Sequence, residues 1–356
     1  MKVNVIFPFA PVASGGGLRV LFEYANRLSE FGHTVNIYYP ASISYLERGY
    51  KSYLKFLYYK VINKNIPDWF KLEKKIKVIY IEKVSDKYIT DGDIILSTWW
   101  SLMYDIKNLS PKKGIRFNLV QDIENWEGNN TQVMNSYTVA NSKNVVIANY
   151  LYKYLTEQTG GKKPYQIPFA IDGSKYFIKN RIEDRDRYSV CMMYSTEPRK
   201  GSSFGLQALF ELKKKYPLLN VTMFSVSNAP EGLPHWIKFY QNSPNLCDLY
   251  NKAAVFLGPS NQEGCALPPM EAMYCGCAVV CTNIDGHKDY AFNGETAIFA
   301  EPQNASDMAI KIGSLFDDEN LRIKIALQGN TFIRKYDWDS SARKLESVFI
   351  SELSDN

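Results

Sequence analysis

The amino-acid sequence predicts an α/β fold of two Rossmann-like, doubly wound domains that face a central cleft. The chain has 356 residues, which is more than one hydrophobic core usually serves. In both halves, short apolar segments alternate with helical ones, as in parallel sheets. The alternation is interrupted at residues 159–187, where two glycines precede a charged stretch. Because parallel sheets bind ligands outside the carboxyl ends of their strands, we expect the main site in the cleft.

The first half begins with a strand, a helix and a second strand, predicted at 3–7, 18–31 and 34–39. The helix has an apolar face with α-helical spacing, formed by Leu18, Leu21, Phe22, Ala25 and Leu28. Further strands are predicted at 77–81, 94–97, 117–121 and 145–148. These elements predict a first domain at residues 1–165.

The second half repeats the alternation, with strands predicted at 189–194, 220–226, 254–258 and 278–282. Helices are predicted at 203–215, at 246–252, from about Pro268, and at 305–315. Together they predict a second domain at residues 166–335. A last helix within residues 336–356 is expected to pack back on the first domain.

The composition excludes several classes of protein. Apolar residues make up 46% of the chain, which is enough to bury a core and excludes a mainly disordered protein. The net charge of +5 is too small to indicate a nucleic-acid partner. No apolar run reaches the roughly 18 residues of a membrane span. Six cysteines without a C-x-x-C pair argue against structural zinc. We expect a cytoplasmic protein, or one bound peripherally to the inner face of a membrane.

Three successive glycines, Gly15, Gly16 and Gly17, separate the first strand from the first helix. Glycines at this place let backbone N–H groups approach an anion at the helix N-terminus, and Arg19 adds a positive charge. The alternative is a turn that requires positive φ. The spacing matches neither G-x-G-x-x-G nor G-x-x-x-x-G-K-[ST], the two common phosphate-binding patterns.

Two loops of the second half carry charged residues. Arg199 and Lys200 follow a predicted strand and are suited to neutralise a diphosphate, whereas a solvated pair of loop charges is the alternative. Glu263 and Glu271 are eight residues apart, and Pro268 places Glu271 near a helix N-terminus. The alternative for Glu271 is complementarity to the helix dipole, and for Glu263 it is loop solvation.

The E-x7-E element from Glu263 to Glu271, continued to Val280, resembles the signature of a known enzyme family. It is similar to that of the retaining nucleotide-sugar glycosyltransferases of glycosyltransferase family 4, which have the GT-B fold. The segments 285–286 and 293–296 resemble the next part of that pattern, and residues 15–35 resemble its N-terminal unit. Residues 167–177 are similar to its interdomain strand and turn. The resemblance covers most of the chain and is strongest in the second half.

The resemblance implies transfer of a sugar from a nucleotide diphosphate to an acceptor hydroxyl, with the anomeric configuration retained. It places Glu263 near the hydroxyls of the donor sugar and Glu271 at the ribose. Backbone N–H groups of a donor-binding loop would hold sugar and phosphate, at Gly264, Cys265, Ala266 and Leu267. The expected acceptor is a glycan or a lipid-linked saccharide.

By the same resemblance, Gly16 or Gly17 would approach the diphosphate. Negative charge develops there as the leaving group departs. Lys200 and Arg199 would stabilise this charge, and the stabilisation would be stronger in the transition state than in the ground state. This arrangement requires no metal ion, and the nucleotide sugar is the donor substrate rather than a cofactor.

This sequence departs from the family pattern at two places. Members commonly carry an Arg five residues before the Lys, where this chain has Ser195, and we hypothesise that Arg199 compensates. Many members carry a histidine in the first domain, where this chain has Gln121 followed by Asp122. We therefore expect Asp122, and after it Glu124, to act on the acceptor side. A strand-end cap is the alternative.

The stretch from Tyr45 to Lys83 interleaves basic and aromatic residues. One interpretation is docking on an anionic membrane surface, which would bring the enzyme to a lipid-linked acceptor. The other is a solvated helix face with aromatic core contacts.

Two rival functions are also consistent with the sequence. A nucleotide-sugar epimerase of the non-hydrolysing kind uses two facing α/β domains, but its pattern of histidine and acidic residues is not evident here. A catalytically idle protein that binds nucleotide sugars is the other rival, which Ser195 and Gln121 favour.

Overall fold

A computed structural model describes residues 1–11, 16–46, 50–62, 67, 69–124 and 130–355, without the side chains of Lys51, Ser52 and Lys55. The chain divides into two compact units. The first combines Met1–Phe169 with Trp338–Asn356, and the second is Ala170–Asp337. The sequence predicts boundaries at 165 and 335, a few residues before the observed ones.

The first unit contains a parallel sheet with strands β1 (Lys2–Ile6), β2 (Thr34–Ser42), β3 (Lys77–Lys83), β4 (Ile94–Ser97), β5 (Ile115–Val120), β6 (Lys143–Val146) and β7 (Tyr165–Gln166). Their order is β3-β2-β1-β4-β5-β6-β7, and every pairing is parallel. The chain first winds outward from β1 to β3 and then returns to place β4 on the other side of β1. The carboxyl ends of β1 and β4 therefore form a topological switch point, where ligands of such sheets bind.

The helices of the first unit are α1 (Gly16–Glu30), α2 (Tyr50–Val61), α3 (Met103–Ile106), α4 (Asn130–Val139), α5 (Asn149–Gln158) and α11 (Trp338–Ser354). The last of them packs on the rest of this unit. The hydroxyl of Tyr24 in α1 lies 2.9 Å from that of Ser341 in α11. The rings of Phe117 and Phe349 are 4.6 Å apart, and both side chains are buried. The chain thus crosses to the second unit and returns to complete the first.

The second unit contains strands β8 (Ser189–Met193), β9 (Asn220–Ser225), β10 (Ile237–Gln241), β11 (Val255–Gly258), β12 (Ala278–Thr282) and β13 (Ile298–Ala300). Its helices are α6 (Ser202–Lys215), α7 (Leu246–Asn251), α8 (Leu267–Tyr274), α9 (Ala305–Asp317) and α10 (Glu319–Ile333). The strand order β10-β9-β8-β11-β12-β13 is again parallel and doubly wound, with its switch point between β8 and β11.

The central strands of both sheets are buried on both faces. All residues of β4, β11 and β12 are buried, because helices cover each side of the sheet. This explains why these strands read as short continuous apolar runs rather than as alternating patterns. The predicted fold class, two doubly wound α/β units, is confirmed.

Three strands are missing from the sequence prediction. The strands β7 and β13 have only two and three residues, and β10 lies at a sheet edge with three of its five residues exposed. Segments this short or this exposed carry little periodic signal. The helix α1 begins at Gly16, so Gly16 and Gly17 are helical rather than part of a loop. Among the described residues, no helix combines the length and the apolar character needed to cross a membrane.

Candidate functional site

The second unit brings two charged loops together beside the switch point between β8 and β11. The loop after β8 carries Lys200, whose Nζ lies 2.7 Å from Oε1 and 2.8 Å from Oε2 of Glu263, in the loop after β11. Glu263 is only 7% exposed, and its Oε1 also accepts a hydrogen bond of 2.8 Å from the Ser260 hydroxyl. Arg199 lies at the margin of this cluster. Its Nη1 is 3.8 Å from Oε2 of Glu263, and its Nε donates to Glu197 at 2.8 Å.

Backbone contacts hold these two loops against each other. The N–H of Asn261 donates to the carbonyl oxygen of Arg199 at 2.7 Å. Gly201 has a left-handed φ of 62°, and a Cβ at this position would lie 2.0 Å from the carbonyl oxygen of Pro259. A side chain at position 201 is therefore excluded both by backbone conformation and by space. The glycine lets the backbone approach that places Lys200 beside Glu263.

Ser195, where the resemblance would place an arginine, shapes the loop after β8. Its hydroxyl accepts a hydrogen bond of 3.2 Å from the N–H of Glu197, and its own N–H donates to Ser202 Oγ at 2.9 Å. These are the contacts of a turn-forming serine. The ion pair with Glu197 neutralises part of the charge of Arg199. Compensation by Arg199 for the absent arginine therefore stays a hypothesis.

A third loop, after β12, packs against Glu263. A Cβ at Gly286 would lie 2.1 Å from the carbonyl oxygen of Glu263. Next to it, the fully buried His287 places Nδ1 2.8 Å from the carbonyl oxygen of Thr282, so Nδ1 carries a proton and donates. Its Nε2 has no hydrogen-bond partner among the described residues. Burial lowers the pKa of His287, and the hydrogen bond to Thr282 and the charge of Glu263 oppose this only in part.

The segment that leads into α8 presents backbone donors. In the part of the chain that the structure describes, four consecutive N–H groups donate no hydrogen bond, at Gly264, Cys265, Ala266 and Leu267. Leu267 is the first residue of α8, and Pro268 and Pro269 follow it without N–H groups of their own. Donors at a helix N-terminus suit an anionic or strongly polar ligand.

Glu271 lies in the same helix and is 6% exposed. Its Oε2 accepts a hydrogen bond of 2.9 Å from the hydroxyl of Tyr250, which is fully buried in α7. Burial, together with the nearby charge of Glu271, raises the pKa of Tyr250 well above its ordinary value. The phenol therefore stays protonated and keeps donating to this carboxylate.

Polar groups also gather at the switch point of the first unit. Gln121 follows β5, and its Nε2 donates to the carbonyl oxygen of Gly17 at 2.9 Å and to Thr98 Oγ1 at 3.1 Å. Its Oε1 is buried without a hydrogen-bond partner among the described residues. Gly16 and Gly17 are exposed at the start of α1. Gly15, the first glycine of the predicted loop, lies outside the described residues.

Arg19 in α1 is held by an ion pair within the helix. Its Nε lies 3.4 Å from Oε1 of Glu23, a residue that is 4% exposed. Arg27 approaches the other oxygen of Glu23 at 3.9 Å and also pairs with Asp339 in α11 at 2.7 Å. The charge of Arg19 is thus shared with a buried carboxylate, and its expected role beside the glycines stays a prediction.

Both acidic candidates of the first unit have backbone partners. Oδ1 of Asp122 accepts hydrogen bonds from the N–H of Ile123 at 2.8 Å and from the hydroxyl of Tyr150 at 3.0 Å. Glu124 Oε2 accepts from the N–H of Trp100 at 2.6 Å. These contacts are those of the strand-end cap that the sequence leaves open as an alternative. They also hold the two carboxylates at the carboxyl edge of the sheet.

Sequence reasoning singles out Lys200, Glu263 and Glu271 as candidates but misses the residues that contact or pack beside them, Ser260, His287 and Tyr250. Ser260 lies close to Glu263 in the chain, which is a usable signal, whereas Tyr250 reaches Glu271 from another helix and leaves no trace in the sequence. Among the residues that the structure describes, no group of three or more His, Cys, Asp or Glu side chains is arranged to hold a metal ion.

A family model matches much of the second unit. Residues 175–332 match the model described as glycosyl transferases group 1. Lys200, Glu263 and Glu271 all lie inside the matched segment, which belongs entirely to Ala170–Asp337.

Curated relatives are distant and match in part. An uncharacterized glycosyltransferase, MJ1178 of Methanocaldococcus jannaschii, is 24% identical over 60% of this chain and 65% of its own length. The O-antigen chain mannosyltransferase B of Escherichia coli is 29% identical over 40% of this chain and 41% of its own. The N,N'-diacetylbacillosaminyl-diphospho-undecaprenol alpha-1,3-N-acetylgalactosaminyltransferase of Campylobacter jejuni is 29% identical over 30% of this chain and 28% of its own. The chain thus spans less than two thirds of these relatives.

Solved structures match the whole chain. The crystal structure of Anabaena Alr3699/HepE in complex with UDP superposes with a TM-score of 0.73 at 14% identity, covering 99% of this chain and 100% of that one. At this identity the likeness shows the fold, which is GT-B with two Rossmann-like units. Together with the family match, it supports a glycosyltransferase of GT-B fold.

Proposed function

We propose that this chain is a retaining glycosyltransferase of family 4. It would move a hexosyl or deoxyhexosyl group, for example rhamnosyl, from a nucleotide diphosphate sugar to a hydroxyl of a glycan or lipid-linked acceptor. The expected setting is surface polysaccharide synthesis of the bacterial type, in the cytoplasm or at the inner face of the membrane. Relatives named for O-antigen and undecaprenol-linked saccharides support this class of acceptor.

The observation that carries the proposal is the cluster of Lys200 and Glu263 beside the N-terminus of α8. The Nζ of Lys200 lies within 2.8 Å of the buried carboxylate of Glu263. The four N–H groups that follow Glu263 in the chain donate no hydrogen bond to any residue that the structure describes. A nucleotide diphosphate sugar offers both kinds of complement, because its phosphates accept hydrogen bonds and its hydroxyls donate them. The location, at the carboxyl ends of β8 and β11, is where doubly wound sheets bind ligands.

In the proposed chemistry the bond between the anomeric carbon and the diphosphate breaks, the acceptor oxygen bonds to that carbon, and the acceptor's proton leaves with the diphosphate. Negative charge grows on the diphosphate as its bond breaks, so Lys200, Arg199 and the backbone donors stabilise the transition state more than the bound substrate. Glu263 would accept hydrogen bonds from hydroxyls of the donor sugar, and Glu271 would accept from the ribose. These two cations supply the positive charge, so turnover is expected to persist after treatment with a metal chelator.

The first unit has its own proposed roles. Gly16 and Gly17 leave room for an anion near the start of α1, with Arg19 adding positive charge. Asp122 and Glu124 would accept hydrogen bonds from hydroxyls of the acceptor. An Asp122→Asn variant tests this role, since it keeps the shape of the side chain and loses the charge. We expect it to raise the KM for the acceptor without changing the affinity for the donor.

Sugar transfer by the purified chain is the direct test. UDP, GDP, dTDP and CMP sugars would be screened by thermal stabilisation, because a ligand that binds only the native state raises its melting temperature. The sugar that binds would then be incubated with saccharide acceptors, and the anomeric configuration of the product would be read by NMR. Lys200→Ala is expected to lower kcat roughly 100-fold to 1,000-fold, the usual effect of removing one group that stabilises developing charge.

Lys288→Ala is the matched control, because Lys288 forms an exposed ion pair with Asp285 at 2.8 Å in the same unit. It should transfer at the wild-type rate. Equal rates for Lys200→Ala and wild type would contradict the proposed site. Donor binding without transfer to any acceptor would indicate an idle binding protein, and conversion of the nucleotide sugar without an acceptor would indicate an epimerase.

A further inference from the structure

The helix α2 turns an apolar face to solvent. Tyr50 is 71% exposed, Leu54 56%, Tyr58 61% and Val61 82%. Their spacing of four, four and three residues places them on one side of the helix. Two further apolar residues flank this face and are also exposed, Tyr53 and Ile62. We call the set Tyr50, Leu54, Tyr58 and Val61 the α2 face.

The other side of the helix holds it on the unit. Phe56 is 4% exposed, and its ring lies 5.7 Å from that of Tyr80 in the edge strand β3. A surface helix of a globular protein normally buries its apolar face and exposes a polar one. In α2, aromatic and aliphatic residues occupy the exposed side as well. An exposed apolar patch of this kind indicates an interaction surface.

The segment that contains the α2 face is strongly basic. Residues 50–83 contain nine lysines against three carboxylates, a net charge of +6, which exceeds the +5 of the whole chain. The exposed lysines with described side chains are Lys60, Lys71, Lys74, Lys75, Lys77 and Lys83. Other basic residues of the predicted stretch lie outside the described residues, Arg48 and Lys64 entirely and Lys51 and Lys55 by their side chains.

Glu82 in β3 shows that lysines converge next to α2. A hydrogen bond from Tyr88 lowers the pKa of Glu82, and the charges of Lys60, Lys87 and Lys83 lower it further. Three cations, one of them Lys60 of α2, thus act on one carboxylate. A second copy of this chain would bring an equally positive surface against α2, which is unfavourable.

We propose that the α2 face and the lysines around it form a docking surface for an anionic lipid bilayer. The aliphatic and tyrosine side chains would enter the boundary between headgroups and acyl chains, where amphipathic rings are favoured. The lysines would contact the anionic headgroups, each adding to the attraction. This inference does not rest on the proposed transfer reaction, although a lipid-linked acceptor would be presented at the same surface.

Co-sedimentation with vesicles tests the proposal. The chain is expected to bind vesicles of phosphatidylglycerol, to bind those of phosphatidylcholine far less, and to be released by high salt. The double variant Tyr58→Ser with Val61→Ser removes part of the α2 face. The double variant Lys60→Ala with Lys83→Ala removes two charges. Each is expected to weaken binding to phosphatidylglycerol roughly tenfold or more.

Ile310→Ser is the matched control, because Ile310 is 66% exposed on α9 of the second unit. It should bind vesicles as the wild type does. Thermal melting of all variants should be unchanged, because the altered residues are exposed. The proposal is overturned if the wild type shows no preference for phosphatidylglycerol, or if the variant without Tyr58 and Val61 binds as tightly as the wild type. It is also overturned if vesicle binding is absent and sedimentation velocity shows a dimer that this variant abolishes.

Discussion

Glu263 is buried, and its interactions with Lys200 and Ser260 matter for stability as well as for chemistry. Lys200→Met would leave a buried carboxylate without its main cation, which we expect to cost up to about 3 kcal/mol of unfolding free energy. In Lys200→Met combined with Glu263→Gln, a neutral amide needs no cation, so most of this loss should be recovered. Urea denaturation measures both. A double variant as unstable as the single one would show that the charge is not the cause.

Turnover separates the two roles of this pair. We expect the combined variant to regain stability and to remain inactive, because neither the cation nor the carboxylate is then available to a donor sugar. Full activity in the combined variant would contradict the proposed donor site while leaving the fold unaffected.

The buried His287 predicts a dependence of stability on pH. Burial lowers its pKa, so the unfolded chain binds a proton more readily than the folded one. The stabilisation is therefore complete above the ordinary histidine pKa of about 6.5 and is lost as the pH falls below it. His287→Gln should flatten the fall in unfolding free energy between about pH 7.5 and about pH 5. An equally steep fall in His287→Gln and in the wild type would contradict this assignment.

Single residues differ in how well a sequence can predict them. Glu263 stands out because it belongs to the E-x7-E element, and Lys200 because it follows an apolar strand of the second half. His287 and Tyr250 do not stand out, because each acts through a contact that the fold creates, with the Thr282 carbonyl and with Glu271. A buried histidine or tyrosine in an apolar setting looks like an ordinary core residue until its partner is known.

Among the elements, the loop after β8 depends on Gly201. Two effects exclude a side chain there. The backbone has a left-handed φ of 62°, and a Cβ would lie only 2.0 Å from the carbonyl oxygen of Pro259. Gly232 has a similar φ of 73°, but a Cβ there would have no atom within 4 Å, so a substitution at Gly232 measures the cost of the backbone conformation alone. We expect Gly232→Ala to cost about 1 kcal/mol of unfolding free energy and Gly201→Ala about 3 kcal/mol or more.

Only Gly201→Ala should also lower donor affinity, since it moves Lys200 away from Glu263. Chemical denaturation and titration with the nucleotide sugar measure the two effects. An equal loss of unfolding free energy in Gly201→Ala and Gly232→Ala would mean that the close backbone approach to Pro259 does not contribute to stability.

Whole elements follow from periodicity when they are long and buried. The strands β4, β11 and β12 are predicted within a residue of their observed bounds, because their apolar runs end at turn residues. Periodicity fails for α2 in a different way. It finds apolar residues at helical spacing, but it does not reveal that Tyr50 and Tyr58 are exposed while Phe56 is buried. That choice depends on where β3 and Tyr80 lie in the folded unit.

For the molecule as a whole, the first unit depends on a helix that follows the second unit in the chain. Phe349 in α11 is fully buried against Phe117, whereas its neighbour Ile350 is 50% exposed. We expect Phe349→Ala to cost about 3–5 kcal/mol of unfolding free energy and Ile350→Ala about 0.5 kcal/mol or less.

Hydrogen exchange read by mass spectrometry locates this effect. Peptides from β5 and α11 should exchange faster in Phe349→Ala, while peptides from β12 should keep their protection. Faster exchange in β12 alone would mean that Phe349 stabilises the second unit, which would contradict this prediction.

The domain boundaries combine local signals in the sequence with contacts between distant residues. A charged, glycine-containing break near residue 165 is visible in the composition, and two rounds of strand and helix are visible in the periodicity. The observed boundaries at 169 and 337 differ by a few residues. They depend on contacts such as the hydrogen bond from Ser341 to the carbonyl oxygen of Pro168, which no local pattern encodes.

The split of the first unit also governs the order in which the chain becomes complete on the ribosome. Residues 170–337 are translated before α11, so residues 1–169 must wait for their last helix. At the usual 5–20 residues per second, this wait lasts roughly 10–30 s. Throughout it, the apolar surface around Phe117 lacks the cover of Phe349 and is available to chaperones. The second unit, encoded without interruption, can finish folding first.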